Sequence, residues 1–466
     1  MNTTHQKRLL IFGSGYFIIY LVAAILLSEE RIFLDGSYYF FHVVQSENFW
    51  VEHQRFILIP SQLLTWTAVK LHFPLQIVLL MNSVNPVLYL FLLFFICVYA
   101  WNDEAAGWVL LLLSVCGVYF LYFVPMYEVW YGAVLLVFFS SMMHRQFYRT
   151  PLQLLLLGVT VVTLLFSYPL MIFGFIFFAT FHFLEIKAIP KKVAVLFLMV
   201  IIGWLVWKTL FISDYENGKI SYPFSRIGIT IRENLGSIGN IKALLSFLFS
   251  VYAEAMIMMV IAVLLLVFRK RYLKAALIVL FSSGYILLIN VTHGFPWNHS
   301  NYYERMYLLL IPLCMLPFLR EVYLLSKQKL LFEIVFICII LFRGIQIVQH
   351  SKVYSDRVER VRQFIQPAQK QGGSKFFVTG EQYPGDPALD EWSFPMEALI
   401  FSSLKTPEHT VIVSLKNDLD ATDVNSLLND QTFHLRLNEV REDVWLNEHY
   451  FKLQHGKYTE LNKNQN

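Results

Sequence analysis

The sequence predicts an all-α bundle that crosses the membrane about eleven times, followed by a small C-terminal α/β domain outside the membrane. The 466 residues are 57% hydrophobic and only 15% charged, whereas a soluble domain carries about 25% charged residues. Apolar runs of about 17 to 22 residues, long enough to cross a bilayer, recur through most of the chain. Charge rises and apolar runs shorten after residue 350, so we expect two units, 1–350 in the membrane and 351–466 outside it.

The apolar runs predict the position of each span in turn. They are 9–28, 76–100, 107–124, 129–143, 152–167, 170–186, 193–213, 246–268, 274–292, 304–319 and 330–349. The first run follows Lys7 and Arg8 and lacks a small-residue cleavage site, so we interpret it as a retained span and not as a signal peptide. The run 56–72 contains Pro60 and several polar residues, and it either spans the membrane or lies at its interface.

The basic segments between spans indicate the orientation of the bundle. If 56–72 does not cross and the N-terminus is cytoplasmic, these segments all fall in the cytoplasm, as the positive-inside rule requires. They are 145–149, 187–192, 269–274 and 320–329. The loop 29–75 and the C-terminal region then lie outside, as expected for a multi-pass protein of the bacterial inner (plasma) membrane.

Charge and cysteine content exclude several other classes of protein. The net charge of +4 is small, and we interpret it as the bias of cytoplasmic loops and not as a nucleic-acid surface. The four cysteines lie inside apolar runs, where they are most simply packing residues. Beyond residue 350, short apolar runs at 375–379 and 409–414 predict buried strands, and 423–428 and 440–447 predict short helices.

An acidic and aromatic stretch directly after the first span holds the first candidate site residue. Asp35 lies near the predicted membrane surface, where a carboxylate can act as a general base on a hydroxyl group. Asp is also a favoured helix N-cap, and Asp35 precedes a segment that can begin a helix. The two roles are compatible. His53 and Arg55 follow on the same loop and suit a phosphate group, although contact with lipid headgroups explains them equally well.

Two further segments carry polar residues between predicted spans. Tyr127 and Glu128 occupy a turn too short to be a solvated loop, so Glu128 is either a second acid/base or metal-binding group, or a carboxylate that caps a span. The stretch 293–305 combines aromatic rings with amides, histidines and charges, which suits a carbohydrate. An aromatic belt explains its rings but not its charges. The residues of interest there are His293, Trp297, Asn298, His299, Glu304 and Arg305.

The order of these features resembles the polytopic glycosyltransferases of the GT-C fold, particularly the protein O-mannosyltransferase and aminoarabinose-transferase-like group. A first span is followed by a long loop with an early aspartate, Asp35, and the aromatic residues Tyr38 and Tyr39. An amphipathic run with a proline and a Phe73-Pro74 break follow. The segment 303–307, with Pro312 after it, resembles the start of a late span in that family. Asp35-Gly36 stands where the family usually has Asp-Glu.

The resemblance implies transfer of a sugar from a polyprenyl-phosphate-linked donor to a lipid, glycan or protein acceptor on the outer face. Asp35 would be the base for the acceptor hydroxyl, and Arg55, His53 or Arg305 would neutralise the phosphate that leaves. The sequence identifies no cofactor, and a divalent metal is compatible with this chemistry. The alternatives are a transporter or lipid-handling protein, or an inactive scaffold of the same fold.

Overall fold

The computed structural model describes residues 4–187, 190–214, 216–218, 227–292, 300–379, 382 and 391–461. These residues form a bundle of α-helices joined to a small domain that contains two short sheets. The bundle helices are α1 (Thr4–Leu26), α2 (Asp35–Ser46), α3 (Leu58–Lys70), α4 (Leu75–Phe95), α5 (Glu104–Leu113), α6 (Glu128–His144), α7 (Pro151–Leu165), α8 (Met171–Ile186), α9 (Lys191–Phe211), α10 (Ile227–Leu235), α11 (Ile238–Val251), α12 (Ala253–Phe268), α13 (Tyr272–Thr292), α14 (Ser300–Tyr307), α15 (Leu310–Phe318) and α16 (Lys329–Gln371).

Several of these helices are long and apolar enough to cross a membrane. Within the described residues there are six, namely α1, α4 with its π-helical extension to Ala100, α9, α13, the segment Tyr303–Tyr323, and α16. The pair Ile227–Glu233 and Ile238–Val251, bent by 83°, makes a seventh if it forms one span. Of the other predicted spans, 129–143, 152–167 and 170–186 coincide with the shorter apolar helices α6, α7 and α8, whereas α5 covers only the first part of 107–124 and the helix break at Tyr252 divides 246–268. The chain is therefore a helical protein with the apolar helices of a membrane protein.

The run 56–72 forms α3, which is 13 residues long. At about 1.5 Å per residue it extends for about 20 Å, less than the roughly 30 Å of a hydrocarbon core. It packs against α2 and α4. The helix is thus too short to cross a bilayer alone, as expected if 56–72 lies at the interface; the side of the membrane on which it lies stays a prediction.

The C-terminal domain, residues 375–461, follows directly on the longest helix. Its strands are β1 (Lys375–Val378), β2 (Ile412–Leu415), β3 (Thr432–Arg436), β4 (Glu439–Glu442) and β5 (Thr459–Glu460), and its helices are α17 (Phe394–Ser403), α18 (Lys416–Leu419) and α19 (Thr422–Asn425). β1 lies between β2 and β5 and is parallel to both, with Lys375 opposite Ile412. The two strands predicted at 375–379 and 409–414 are confirmed as β1 and β2.

The predicted helix at 440–447 is wrong. Residues 439–442 form β4, which pairs antiparallel with β3, and a 3-10 turn, Asp443–Trp445, follows. Leu437 has a φ of 41°, which reverses the chain between the two strands. A short segment of mixed polarity has no helical or strand periodicity of its own, so its pairing with β3 decides the structure.

The C-terminal domain packs on the loop that follows the first span. Residues from α2, α3, α17 and the strands share one apolar core, separate from the core of the bundle. The Asn447 amide donates to the Val44 carbonyl at 3.0 Å, and the Tyr450 hydroxyl donates to the Val69 carbonyl at 3.4 Å. The segment 29–75 and the C-terminal domain therefore lie at the same end of the bundle, which the sequence also predicted.

Candidate functional site

A cluster of charged and tyrosine side chains lies where α1 ends and where α2 and α6 begin. We call it the Asp35 cluster, and its members are Asp35, Tyr39, Arg55, Tyr127, Glu128 and Arg305. Arg305 Nη1 donates to Asp35 Oδ2 at 2.6 Å. Glu128 Oε1 accepts from Arg55 Nη1 at 2.8 Å and from the Tyr39 hydroxyl at 2.7 Å.

Local structure explains why the two carboxylates come together. Leu34, with a φ of 47°, turns the chain sharply before Asp35 opens α2. A Cβ atom added at Gly36 would lie 3.4 Å from Pro125 Cδ, so the absence of a side chain lets α2 approach the turn before α6. Glu128 opens α6, where the helix dipole favours a negative charge.

The two arginines of the cluster are supported by aromatic rings. The guanidinium carbon of Arg305 lies 4.9 Å from the centre of the Tyr127 ring, and that of Arg55 lies 5.0 Å from the centre of the Tyr168 ring. A guanidinium group that stacks on an aromatic face gains cation–π attraction and keeps its N–H groups for anions in the ring plane. Both cations are thus held in fixed positions beside the carboxylates.

A third ion pair adjoins the cluster and was missed by the sequence analysis. Lys208 Nζ lies 2.6 Å from Glu216 Oε2, and Arg55 Nε lies 3.8 Å from the other oxygen of Glu216. The signal available in the sequence was a lysine near the end of an otherwise apolar run. With this pair included, three carboxylates face three cations, so the site is close to neutral.

Exposure separates Asp35 from the other carboxylates. The Asp35 side chain is 33% exposed, whereas that of Glu128 is 3% exposed and that of Glu216 is 5% exposed. A molecule arriving from water or from the membrane surface therefore reaches Asp35 first. Asp35 is also not the helix N-cap: α2 begins at Asp35 itself, Leu34 occupies the N-cap position, and the Asp35 carboxylate binds Arg305.

The remaining predicted residues lie around this cluster in different roles. Tyr38 donates to the Glu52 carboxylate, and the Arg436 guanidinium carbon lies 3.8 Å from the centre of its ring, so Tyr38 joins α2 to the C-terminal domain. His53 Nδ1 lies 3.1 Å from Ser213 Oγ. These contacts join Tyr38 to the C-terminal domain and His53 to the residues that follow α9.

Glu304 has a structural contact that the sequence did not predict. Its carboxylate accepts from the backbone N–H of Phe120 at 2.9 Å and of Leu121 at 3.2 Å, and the residue is 1% exposed. It therefore holds the turn that leads to Tyr127 and Glu128. His293, Trp297, Asn298 and His299 lie outside the described residues.

The described residues do not offer a metal site at Glu128. No group of three or more His, Cys, Asp or Glu side chains among them is placed to hold a metal ion. The Glu128 carboxylate is already bound by a guanidinium and a hydroxyl group. The sequence-based suggestion that Glu128 binds a metal is therefore not supported by its surroundings.

Comparison with known proteins finds no matching family model, no similar curated protein and no similar solved structure. The chemistry of the Asp35 cluster therefore has to carry the functional inference. Its parts are an accessible carboxylate, two guanidinium groups fixed on aromatic rings, and a buried carboxylate that holds one of them.

Proposed function

We propose that the protein is an integral membrane glycosyltransferase of GT-C type. It would move a sugar from a polyprenyl-phosphate-linked donor to an acceptor hydroxyl, on the face of the membrane where α2 and the C-terminal domain lie. The observation that carries the proposal is the placement of Asp35. It is the accessible carboxylate of the cluster, and it contacts a guanidinium from a residue 270 positions away.

The proposed reaction assigns one role to each group. Asp35 takes the proton of the acceptor hydroxyl as its oxygen attacks the anomeric carbon of the sugar. The bond between that carbon and the phosphate oxygen breaks, and the polyprenyl phosphate leaves with the electron pair. Arg305, beside Asp35, donates hydrogen bonds to the phosphate as its negative charge develops. Glu128 and Tyr39 hold Arg55 in place next to this position.

The Asp35–Arg305 ion pair also favours one alternative. If the pair never opens, the carboxylate has no free position for an acceptor, and the protein is an inactive scaffold of the same fold. Only an experiment distinguishes the inactive scaffold from the enzyme, because both contain this ion pair. If an acceptor displaces Arg305 from Asp35, Asp35 is in place as the base and Arg305 is in place to bind the phosphate.

The test is glycosyl transfer by Asp35→Asn in proteoliposomes supplied with polyprenyl-phosphate-linked sugars. Asparagine has nearly the same size but cannot accept the proton, so we expect a loss of about 10² to 10⁴ in rate. Glu30→Gln is the matched control, since Glu30 lies at the same end of α1 but accepts from Ser355 at 2.9 Å. Release of polyprenyl phosphate is the readout.

Two results would overturn the assignment. Turnover by Asp35→Asn equal to that of the wild type would remove Asp35 as the base. No turnover by the wild-type protein with any lipid-linked donor, while the protein is folded, would favour a lipid-handling protein, a transporter or a scaffold.

A further inference from the structure

A polar groove lies at the junction of the bundle and the C-terminal domain. It has a volume of about 430 Å³, within the roughly 300 to 1,000 Å³ that is usual for pockets that bind small molecules. Glu29, just after α1, and Gln76, at the start of α4, line it together with residues of α16, of α17 and of the loop after α17. No member of the Asp35 cluster is among these lining residues.

The groove extends beyond the lipid. Its lining residues on α16, from Glu359 to Gln369, follow the predicted span 330–349 by 10 to 20 positions. At about 1.5 Å per residue they lie about 15 to 30 Å along the helix from the end of that span. A headgroup layer is only roughly 5 to 8 Å thick. Most of the groove is therefore in contact with water, and its occupant has to be water-soluble.

The fixed charges that line the groove cancel. Glu29 and Glu359 are negative, whereas Arg362 and Lys405 are positive. Glu29 and Arg362 bind each other, which leaves one carboxylate and one ammonium group for other partners. A groove that binds a phosphate or another anion presents an excess of cations. The balanced lining therefore favours a ligand without net charge.

Glutamine side chains supply most of the other polar groups of the groove. They are Gln76, Gln366 and Gln369. Gln369 donates to the His409 carbonyl at 2.9 Å. The side chains of Gln76 and Gln366 make no hydrogen bond to protein groups within the described part of the chain. An amide both donates and accepts, as a hydroxyl group does, so free amides suit a ligand that is rich in hydroxyl groups.

The apolar part of the lining is small. It consists of the buried side chains of Ile365, Phe401 and Leu404. The CH face of a sugar ring packs on such a surface while its hydroxyl groups reach the amides and carboxylates around it. A hydrocarbon ligand would instead cover polar groups without offering them hydrogen bonds, which is unfavourable. A neutral carbohydrate thus matches the polar and the apolar parts of the groove together.

We propose that this groove binds a neutral, water-soluble oligosaccharide, with Gln76, Gln366 and Glu359 as the ligands of its hydroxyl groups. The proposal goes beyond the proposed function, because it assigns no step of a reaction to the groove and involves neither the Asp35 cluster nor a lipid-linked donor. Since α4, α16 and α17 do not belong to one domain, a bound oligosaccharide also joins the C-terminal domain to the bundle.

Gln366 provides a variant that blocks the groove, and Gln363 provides the matched control. Both are exposed glutamines on α16, but only Gln366 lines the groove. Gln366→Trp fills the groove with a ring, whereas Gln363→Trp places the same ring outside it. Any general effect of a tryptophan on α16 therefore appears in both variants. Gln366→Ala removes the amide without filling the groove.

The experiment measures binding of fluorescently labelled oligosaccharides to the purified full-length chain in nanodiscs, so that no sugar-based detergent competes. The probes are short neutral chains of hexose and N-acetylhexosamine units, and their sulfated and phosphorylated counterparts. We expect the wild type and Gln363→Trp to bind a neutral chain with equal affinity, Gln366→Trp to bind it at least 10-fold more weakly, and Gln366→Ala to be intermediate. High salt should not change the affinity, because the ligand has no charge to screen.

Four results would overturn the proposal. Unchanged binding by Gln366→Trp would place the carbohydrate elsewhere. Tighter binding of the sulfated or phosphorylated chains would identify an anion site. Competition by glycerophosphoethanolamine as strong as that of the unlabelled neutral chain would identify a site for a zwitterionic headgroup. No binding of any probe by the folded wild type would remove the carbohydrate site altogether. The assay contains no donor and needs no turnover, so its outcome is independent of the glycosyl-transfer test.

Discussion

Both ends of the bundle contain buried carboxylates, but the two ends differ in the number of partners that each carboxylate has. Asp103 and Ser141 lie at the end opposite to Glu128, since α6 rises by about 20 Å between Glu128 and Ser141. Asp103 accepts from the Ala106 N–H at 3.1 Å, from the Ser141 hydroxyl at 2.7 Å and from Arg320 at 3.2 Å. The Asp103 side chain, which is 1% exposed, caps α5 and also binds residues of two other helical segments.

At the Asp35 end, the carboxylates have fewer partners and one is accessible. Asp35 has Arg305 as its charged partner and is 33% exposed. The guanidinium that it binds lies against the Tyr127 ring. A carboxylate whose acceptor positions are all filled is a structural element, whereas one with a free, accessible side is available for chemistry. The difference indicates which end of the bundle holds the functional site.

The largest effect on stability is expected at the Asp103 end. Asp103→Asn removes the partner of Arg320, whose side chain is only 8% exposed, and breaking a buried ion pair in this way costs about 3 to 5 kcal/mol. Asp35→Asn should cost less, because Asp35 is 33% exposed and water screens its pair with Arg305. Thermal unfolding of both variants in the same detergent measures this. Equal destabilisation by the two would erase the distinction between the ends.

The next effect is on catalysis and concerns the arginine beside Asp35. Arg305→Gln should lower the rate of glycosyl transfer by about 10² to 10³, the usual cost of one lost donor to a developing negative charge. Arg305→Lys keeps the charge but not the planar fork, so we expect a smaller loss. Rates are compared with the wild type at saturating donor. A larger loss for lysine than for glutamine would contradict a phosphate-binding role.

A pH effect is expected from His42 in α2. Burial lowers the pKa of His42 to about 4, and the ring stacks on Trp50 with 4.2 Å between centres. The folded pKa lies below the unfolded value of about 6.5, so the unfolded chain binds more protons between these values and stability falls as pH falls. Because of His42, the free energy of unfolding should be about 2 kcal/mol lower at pH 5 than at pH 7.

His42→Phe provides the comparison, because it keeps an apolar ring and removes the titration. The wild type should lose about 2 kcal/mol more stability than this variant between pH 7 and pH 5, followed by tryptophan fluorescence during thermal unfolding. Identical pH dependence of the two proteins would show that His42 is not protonated on unfolding.

The smallest effect is expected at the ion pair that joins α1 to α16. Arg362 binds Glu29, but the two side chains are 42% and 27% exposed. Arg362→Gln should change the free energy of unfolding by less than about 1 kcal/mol, because water screens such pairs. A loss comparable to that of Asp103→Asn would mean that the junction of the two helices, and not the Asp103 end, stabilises the bundle.

Much of the architecture could be predicted from local patterns. Apolar runs identified the bundle because a backbone in lipid has to satisfy its hydrogen bonds within a helix. The strands β1 and β2 appeared as short apolar runs because most of their residues are buried, as is usual for strands of a parallel sheet. Asp35, Glu128 and Arg305 could each be singled out, since charged residues beside apolar helices are unfavourable without a role or a partner. The segment 439–447 has no such pattern, and it was predicted wrongly.

The sequence by itself thus determined which residues are apolar, which are charged, and where helices form, because these follow from each residue and its near neighbours. Only the tertiary structure decided the partners. Arg55 and Glu128 are 73 positions apart and Asp35 and Arg305 are 270 apart, and nothing in their local surroundings couples them. Pairing depends on which helix faces meet, and periodicity along one helix does not encode that.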